Sequence, residues 1–289
     1  MRVMNFILSN LLYILWFCLY FCIAWLLLGA NLDSLILVSI GYGVSVTIAL
    51  SPLGEFLLRL VENCREPETQ KEKSYLLPIF EEVYESAREV DPSINKGIKI
   101  YIMDAMFVNA FAIGRKTVAV TKGALETFTV EELKGILAHE LGHMTHGHTK
   151  ALLLSVIGNF FFSIIVWIFR TMLNIMQVIS NIFAHFSVIA LGLMFMTFII
   201  RFFVEASTLI FINISQAILA LNSRSNEIEA DKYAHDIGYG RELTQSLYLL
   251  QKITMSAKLR LSERMKASHP HISYRIRQLE KLENEATYV

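Results

Sequence analysis

Long runs without a charged side chain alternate along this chain with charged segments, and that alternation predicts most of its architecture. Between Arg2 and Asp33 no charge occurs, and residues 6–28 are almost wholly apolar. As a helix, such a run is long enough to cross a hydrocarbon core of about 30 Å. It exceeds the roughly 7–15 apolar residues of a secretory signal, and no A-x-A-like cleavage site follows it. A second uncharged run, 34–54, comes almost at once, so residues 1–54 read as a transmembrane hairpin turning at 29–33. Two further spans are expected within 151–221. Residues 151–169 lie uncharged between Lys150 and Arg170, and 186–200 are strongly apolar, with a possible continuation past Arg201 and Glu205.

The intervening segment, 55–150, has a different texture. Charges return, and 75–90 carries Leu76, Ile79, Phe80, Val83, Tyr84 and Ala87 on one side of a helix that Asp91-Pro92 breaks. Residues 98–102 alternate as a strand does, 117–121 form a second strand candidate, and Asn109, Ala110, Phe111 and Ala112 lie extended between them. Thr129 starts another helix. Thr129 with Glu132 is spaced as a capping box, and Phe128 with Leu133 as a hydrophobic staple. That helix should run to about His146, where Gly147 can end it. From about 222 the chain is polar and mostly helical, finishing in a charged helix over 273–285.

Basic residues set the orientation. Arg2 precedes the first span, Arg59, Arg65, Lys71 and Lys73 follow the second, and the loop between has none, so both ends of the hairpin face the cytoplasm. Composition agrees with a membrane protein: 54% of residues are hydrophobic. With 26 basic and 26 acidic residues, the chain lacks the basic excess of a nucleic-acid binder. Cys18, Cys22 and Cys64 have no metal-ligand spacing, and the first two read as buried free thiols.

The chemistry concentrates in His139-Glu140-Leu141-Gly142-His143. Residues four apart share a helix face, so both imidazoles can reach one ion. Glu140 lies off that face, near enough to take a proton from a water that zinc has made acidic. A catalytic zinc needs a third protein ligand and an open position. The pattern H-E-x-x-H-x-x-G-x-x-H fails, because His146 stands where glycine is required and Thr149 where the third histidine is. His146 and His148 are therefore read as polar residues around the helix end. Glu227 and Asp231, four apart, share a face: Glu227 can ligate while Asp231 accepts a hydrogen bond from a ligating histidine, and Glu229 points elsewhere. On spacing alone, three acids on a solvated helix is the favoured reading.

With H-E-x-x-H followed by E-x-x-x-D, the chain resembles the HtpX-type membrane metalloproteases, relatives of the CAAX prenyl proteases. The resemblance covers nearly the whole chain: the hairpin, the N-A-F-A segment, the zinc helix, two more spans, Ser223-Arg224 before the glutamate, and Ser268-His269-Pro270 through Arg275. The compact stretch between Asp231 and His269 is shorter than in many relatives. The resemblance implies one zinc held by His139, His143 and Glu227, with Glu140 as general base. It makes Asn109, Ala110, Phe111 and Ala112 an edge strand that pairs with substrate backbone. His269 would stabilise the oxyanion or bind substrate and Arg275 would orient the elements around it; a helix-cap region and a surface charge are their alternatives. It further implies polypeptide substrates, membrane proteins among them, a role in quality control or stress response, and a bacterial inner membrane with the site facing the cytoplasm.

The expected fold is a mainly α membrane protein, with four transmembrane helices and a zincin-like α+β catalytic domain. Residues 1–54 form the hairpin and 55–150 the first half of that domain with the zinc helix. Residues 151–221 hold two more spans, and 222–289 the second half with the third zinc ligand. A CAAX-type enzyme would need more spans to enclose a chamber. A non-catalytic zinc scaffold would need a fourth ligand rather than a poised base. A metal-ion transporter would need ionisable groups within its spans.

Overall fold

The computed structural model describes residues 2–156, 160–183, 187–256 and 272–287. Contacts divide the chain into two compact units, 1–46 with 158–219 and 47–157 with 220–289. The first unit contains α1 (Arg2–Leu27), most of α2 (Leu32–Leu50), α8 (Phe160–Phe183) and the apolar half of α9 (Val188–Asp236). Three helical segments are long and apolar enough to cross a membrane: Leu32–Leu50, Phe160–Phe183 and Val188–Leu209. A shorter apolar stretch of α1, Ile14–Leu27, adds to them.

Aromatic rings hold this unit together. Tyr42 meets Phe17 and Phe161 edge-on, and Tyr20 meets Phe162 at a ring separation of 4.5 Å. Gly41 makes room for the Phe161 ring, which lies 2.4 Å from where a Cβ would stand. Gly29, at φ +101, turns the chain between α1 and α2, and Asn31 and Ser34 cap α2 reciprocally.

Two expectations change here. Arg170 does not bound a span at 151–169; it sits inside α8, where Glu205 of α9 receives its guanidinium at 2.7 Å. A charge satisfied by a neighbouring helix need not end its own. The polar residues Asn174, Gln177, Ser180 and Asn181 likewise belong to α8, and Thr197 of α9 donates to Gln177 at 3.0 Å. Cys18 and Cys22 are exposed on α1 rather than buried, because the apolar run around them is largely outer surface.

The second unit is built around a four-stranded sheet in the order β1-β2-β4-β3, from β1 (Cys64–Arg65), β2 (Lys99–Met103), β3 (Ala110–Ile113) and β4 (Thr117–Thr121). Strand β4 is buried throughout, pairing in parallel with β2 and antiparallel with β3, Ala112 opposite Val118. The two-residue β1 is too short for a pattern of alternation to announce it. Strand β3 is an edge.

Helix α3 (Pro52–Val61) begins after Ser51 caps it, so the uncharged run 34–54 is two helices rather than one. Helix α3 is inverted relative to water: Gly54, Glu55 and Leu58 are buried, while Leu53, Phe56, Leu60 and Val61 are exposed. Its buried Glu55 accepts the backbone N–H groups of Arg115 (2.5 Å) and Lys116 (3.2 Å), fixing the β3–β4 turn at Gly114, whose φ is +60. Helix α4 (Gln70–Val90) starts five residues before the helix expected over 75–90, because Thr69 and Glu72 form a capping box. After the short α5 (Lys122–Thr127) come α6 (Val130–Thr145) and α7 (His148–Val156). The unit closes with α10 (Gly240–Ser256) and α11 (Ile272–Thr287). Helix α9 runs unbroken to Asp236, so no element boundary falls near 222.

Candidate metal centre

Helix α6 forms as its sequence dictates. Thr129 accepts the Glu132 N–H while the Glu132 carboxylate accepts from Thr129, His146 caps the end, and Gly147 at φ +74 turns the chain out. Most of α6 is buried, its core side made by Leu133, Leu137 and Leu141. Close approach of a second helix needs a gap in that surface, which Gly142 supplies. A Cβ there would stand 2.9 Å from Ala230 Cα on α9.

Against that gap, α9 presents Glu227 and Asp231, both 3% exposed. His139 Nε2 lies 3.1 Å from His143 Nε2 and 3.4 Å from Glu227 Oε2, and His143 Nε2 lies 3.4 Å from Glu227 Oε1. One donor atom from each of the three residues falls within 4.8 Å of the others. With bonds of about 2.0–2.1 Å, the corners of a tetrahedral zinc site lie about 3.3–3.4 Å apart, so these residues fit that ion. The charges fit as well. Among the described residues, Glu140, Glu227 and Asp231 are three buried carboxylates beside one buried guanidinium, Arg275, so with neutral imidazoles as ligands the acids outnumber the cation and suit a divalent ion.

Arg275, on α11, grips both acids of α9. Its Nη2 and Nε donate to the two oxygens of Asp231 at 2.6 and 2.8 Å, and its Nη1 reaches Glu227 Oε2 at 2.8 Å. His139 Nδ1 lies 2.9 Å from Asp231 Oδ1. Burial and Arg275 both push the His139 imidazole down, but hydrogen bonds to Asp231 and Glu227 outweigh them and lift it to about 9. Burial pushes the Asp231 carboxyl up, yet Arg275 and His139 together hold it below the usual carboxylate range. The site is therefore a negative field that favours a cation between the imidazoles.

The structure thus brings His139, Glu140, His143, Glu227, Asp231 and Arg275 together. Ala110, Phe111 and Ala112 lie on edge strand β3, with Asn109 immediately before it. His269 lies outside the described residues. Two residues set aside on spacing prove to be neighbours of the centre. His148 Nδ1 is 3.0 Å from His143 Nδ1, and Glu229 Oε2 is 3.3 Å from His148 Nε2. Burial, then His143 and His146, push the His148 imidazole down to about 3, so it is neutral. A turn after Gly147 that folds a histidine back onto its own helix leaves no periodic signal.

Known proteins are similar to this chain. Protease HtpX of Pseudomonas paraeruginosa is 30% identical over 141 residues, 46% of this chain and 46% of that protein. A Protease HtpX homolog of Dictyoglomus turgidum is 42% identical over 84 residues, covering 28% of this chain and 25% of its own. The chain thus spans under half the length of these curated relatives. The crystal structure of S. mikatae Ste24p aligns with a TM-score of 0.48 at 18% identity, over 96% of this chain and 67% of that one. The sequence profile of peptidase family M48 matches residues 71–283, from the second residue of α4 to the C-terminal helix. That span takes in every residue of the centre described above, and it places this chain in peptidase family M48.

Proposed function

We propose that this chain is a zinc-dependent endopeptidase held in a bilayer by four spans: α1, α2, α8 and the apolar half of α9. The observation that carries the reading is the gathering of His139, His143 and Glu227 at tetrahedral spacing beside a buried Glu140. His139, His143 and Glu227 would hold the ion. Zinc, when bound, polarises the scissile carbonyl and acidifies the attacking water. Glu140 follows His139 directly and points off the face that the ligands share. It takes the proton from that water and passes it to the leaving amine. Asp231 fixes the tautomer of His139 by accepting from its Nδ1. Arg275 keeps the two α9 carboxylates in place.

Substrate enters extended. Strand β3, which packs beside α6 and has no strand on its outer side among the described residues, offers its edge backbone groups to a polypeptide strand. Such recognition reads main chain more than side chains, which suits an enzyme acting on misfolded or damaged membrane proteins. In this reading the site faces the cytoplasm of a bacterial inner membrane. Cysteine reporters near residues 115 and 280 should label from inside and one near 185 from outside; a label near 185 accessible from inside removes the four-span arrangement.

The mechanism is tested by Glu140→Gln, which keeps the shape and removes the basic oxygen. The purified variant should retain zinc while casein cleavage falls by about 10²–10⁴. Near-wild-type turnover by the zinc-loaded variant overturns the role of Glu140.

A further inference from the structure

His139 and His143 are supported in different ways. His139 has its carboxylate directly, Asp231 Oδ1 at 2.9 Å from Nδ1. Among the described residues no carboxylate lies on the far nitrogen of His143; that nitrogen faces another imidazole, His148 Nδ1, at 3.0 Å. Two ring nitrogens at this distance share one proton, so one donates and the other accepts. A neutral His143 that offers its Nε2 lone pair to a cation carries its proton on Nδ1. It must then donate, and His148 Nδ1 must accept. His148 is thereby left with its own proton on Nε2, which points at Glu229 Oε2 3.3 Å away. Every step of this chain runs in one direction and ends on a carboxylate.

Backbone features hold His148 there. His146 caps α6, Gly147 takes the left-handed φ of +74, and α7 opens on His148. The next residue, Thr149, is buried and donates its hydroxyl to Gly114 O at 2.5 Å, pinning the start of α7 to the β3–β4 turn. His148 is also nearly enclosed, its side chain 12% exposed, and its ring stacks on His146 with centroids 5.6 Å apart. A side chain merely capping a helix end would not need both of its nitrogens placed.

We propose that His148 and Glu229 are positioning residues for the metal centre. They form a relay, His143 to His148 to Glu229, that fixes the His143 tautomer, aims Nε2 at the ion and raises the basicity of that nitrogen. His148 substitutes an imidazole for the carboxylate or carbonyl that usually accepts from a ligating histidine. Glu229, on the opposite flank of α9 from Glu227 and Asp231, is the remote anchor.

The proposal rests on His143 being a metal ligand, and one series separates the two claims. Zinc affinity is measured on the detergent-solubilised full chain by competition with a chromophoric chelator, alongside the melting temperature in excess chelator. If the wild type binds no zinc, the metalloprotease reading itself fails. Given zinc binding by the wild type, His148→Phe, which cannot accept a hydrogen bond, should bind about 10–100-fold more weakly. His148→Gln, whose side-chain carbonyl can accept, should recover most of that loss, and Glu229→Ala should weaken binding several-fold. Glu229 is more than half exposed, 53%, so this last variant keeps its fold and decides the matter even if His148→Phe does not fold. Wild-type zinc affinity in Glu229→Ala overturns the relay, as does a His148→Gln variant no better than a folded His148→Phe.

Discussion

Two arginines in this chain each grip a pair of carboxylates, and only their surroundings differ. Arg275 reaches Asp231 at 2.6 and 2.8 Å and Glu227 at 2.8 Å, with all three side chains 4–6% exposed. Arg65 of β1 reaches Glu72 at 2.6 and 3.1 Å and Asp104 at 2.9 and 3.1 Å, with side-chain exposures of 24%, 20% and 46%. Arg275 is bidentate to Asp231 and pairs once with Glu227, and Arg65 is bidentate to both of its partners. Around Arg65 water can solvate each charge separately, so the cluster ties β1 to the N-terminal cap of α4 at little net gain. Around Arg275 no water replaces a lost partner, and the carboxylates depend on cations supplied by the protein or by a bound ion. Similar arginine–carboxylate clusters therefore mark a strut in one region and a charge-balanced centre in the other.

The sharpest way to break this contrast is to remove each guanidinium. Arg275→Met leaves two buried carboxylates uncompensated, a loss of about 3–5 kcal/mol in stability. Because a divalent cation restores the missing charge, the deficit in melting temperature should be largest in chelator and should narrow with zinc. A deficit untouched by zinc would show that Arg275 balances no metal site.

Gly142→Val is expected to come next. It pushes α9 away from α6 at Ala230, at a cost of about 1–3 kcal/mol from overpacking. Zinc content should fall while the helical circular-dichroism signal survives. Full zinc occupancy in a folded Gly142→Val variant would mean that the helix approach does not set the donor spacing.

Arg65→Met should have the smallest effect, lowering the melting temperature by about 1–3 °C, less in high salt. Its signature is a pH dependence. Hydrogen bonds from Arg65 and then Lys122 hold the Asp104 carboxyl down at about 2, against 3.8 for the free side chain. A depressed carboxylate contributes stability above its unfolded value and loses it as pH falls through the folded one. The gap between wild type and Arg65→Met should therefore be constant above about pH 5 and close as pH drops towards 2. A gap that widens in acid would contradict the cluster as described.

Local sequence determined a good deal of this protein. The spacing of His139 and His143 puts both rings on one face of α6, Thr129 with Glu132 starts that helix, and Glu227 with Asp231 share a face of α9. These are properties of a helix within one or two turns, so periodicity and caps reveal them. Strands were expected at 98–102, from alternation, and at 117–121, with 109–112 extended between them, and they lie at 99–103, 117–121 and 110–113; that the last is an edge came from the family resemblance. What lay beyond a single element was not legible. Arg170 read as a boundary because its partner, Glu205, sits 35 residues away on another helix. Glu229 read as facing elsewhere, and His148 as a helix-end polar residue, because their pairing spans 81 positions and depends on the left-handed turn at Gly147. Arg275 meets His139 across 136 residues, a contact that only the packing of α11 on α10, and of α10 on α6, creates. Helical geometry is written every three or four residues, whereas the balance of buried charge is set by whichever distant side chains the tertiary fold brings within hydrogen-bonding range.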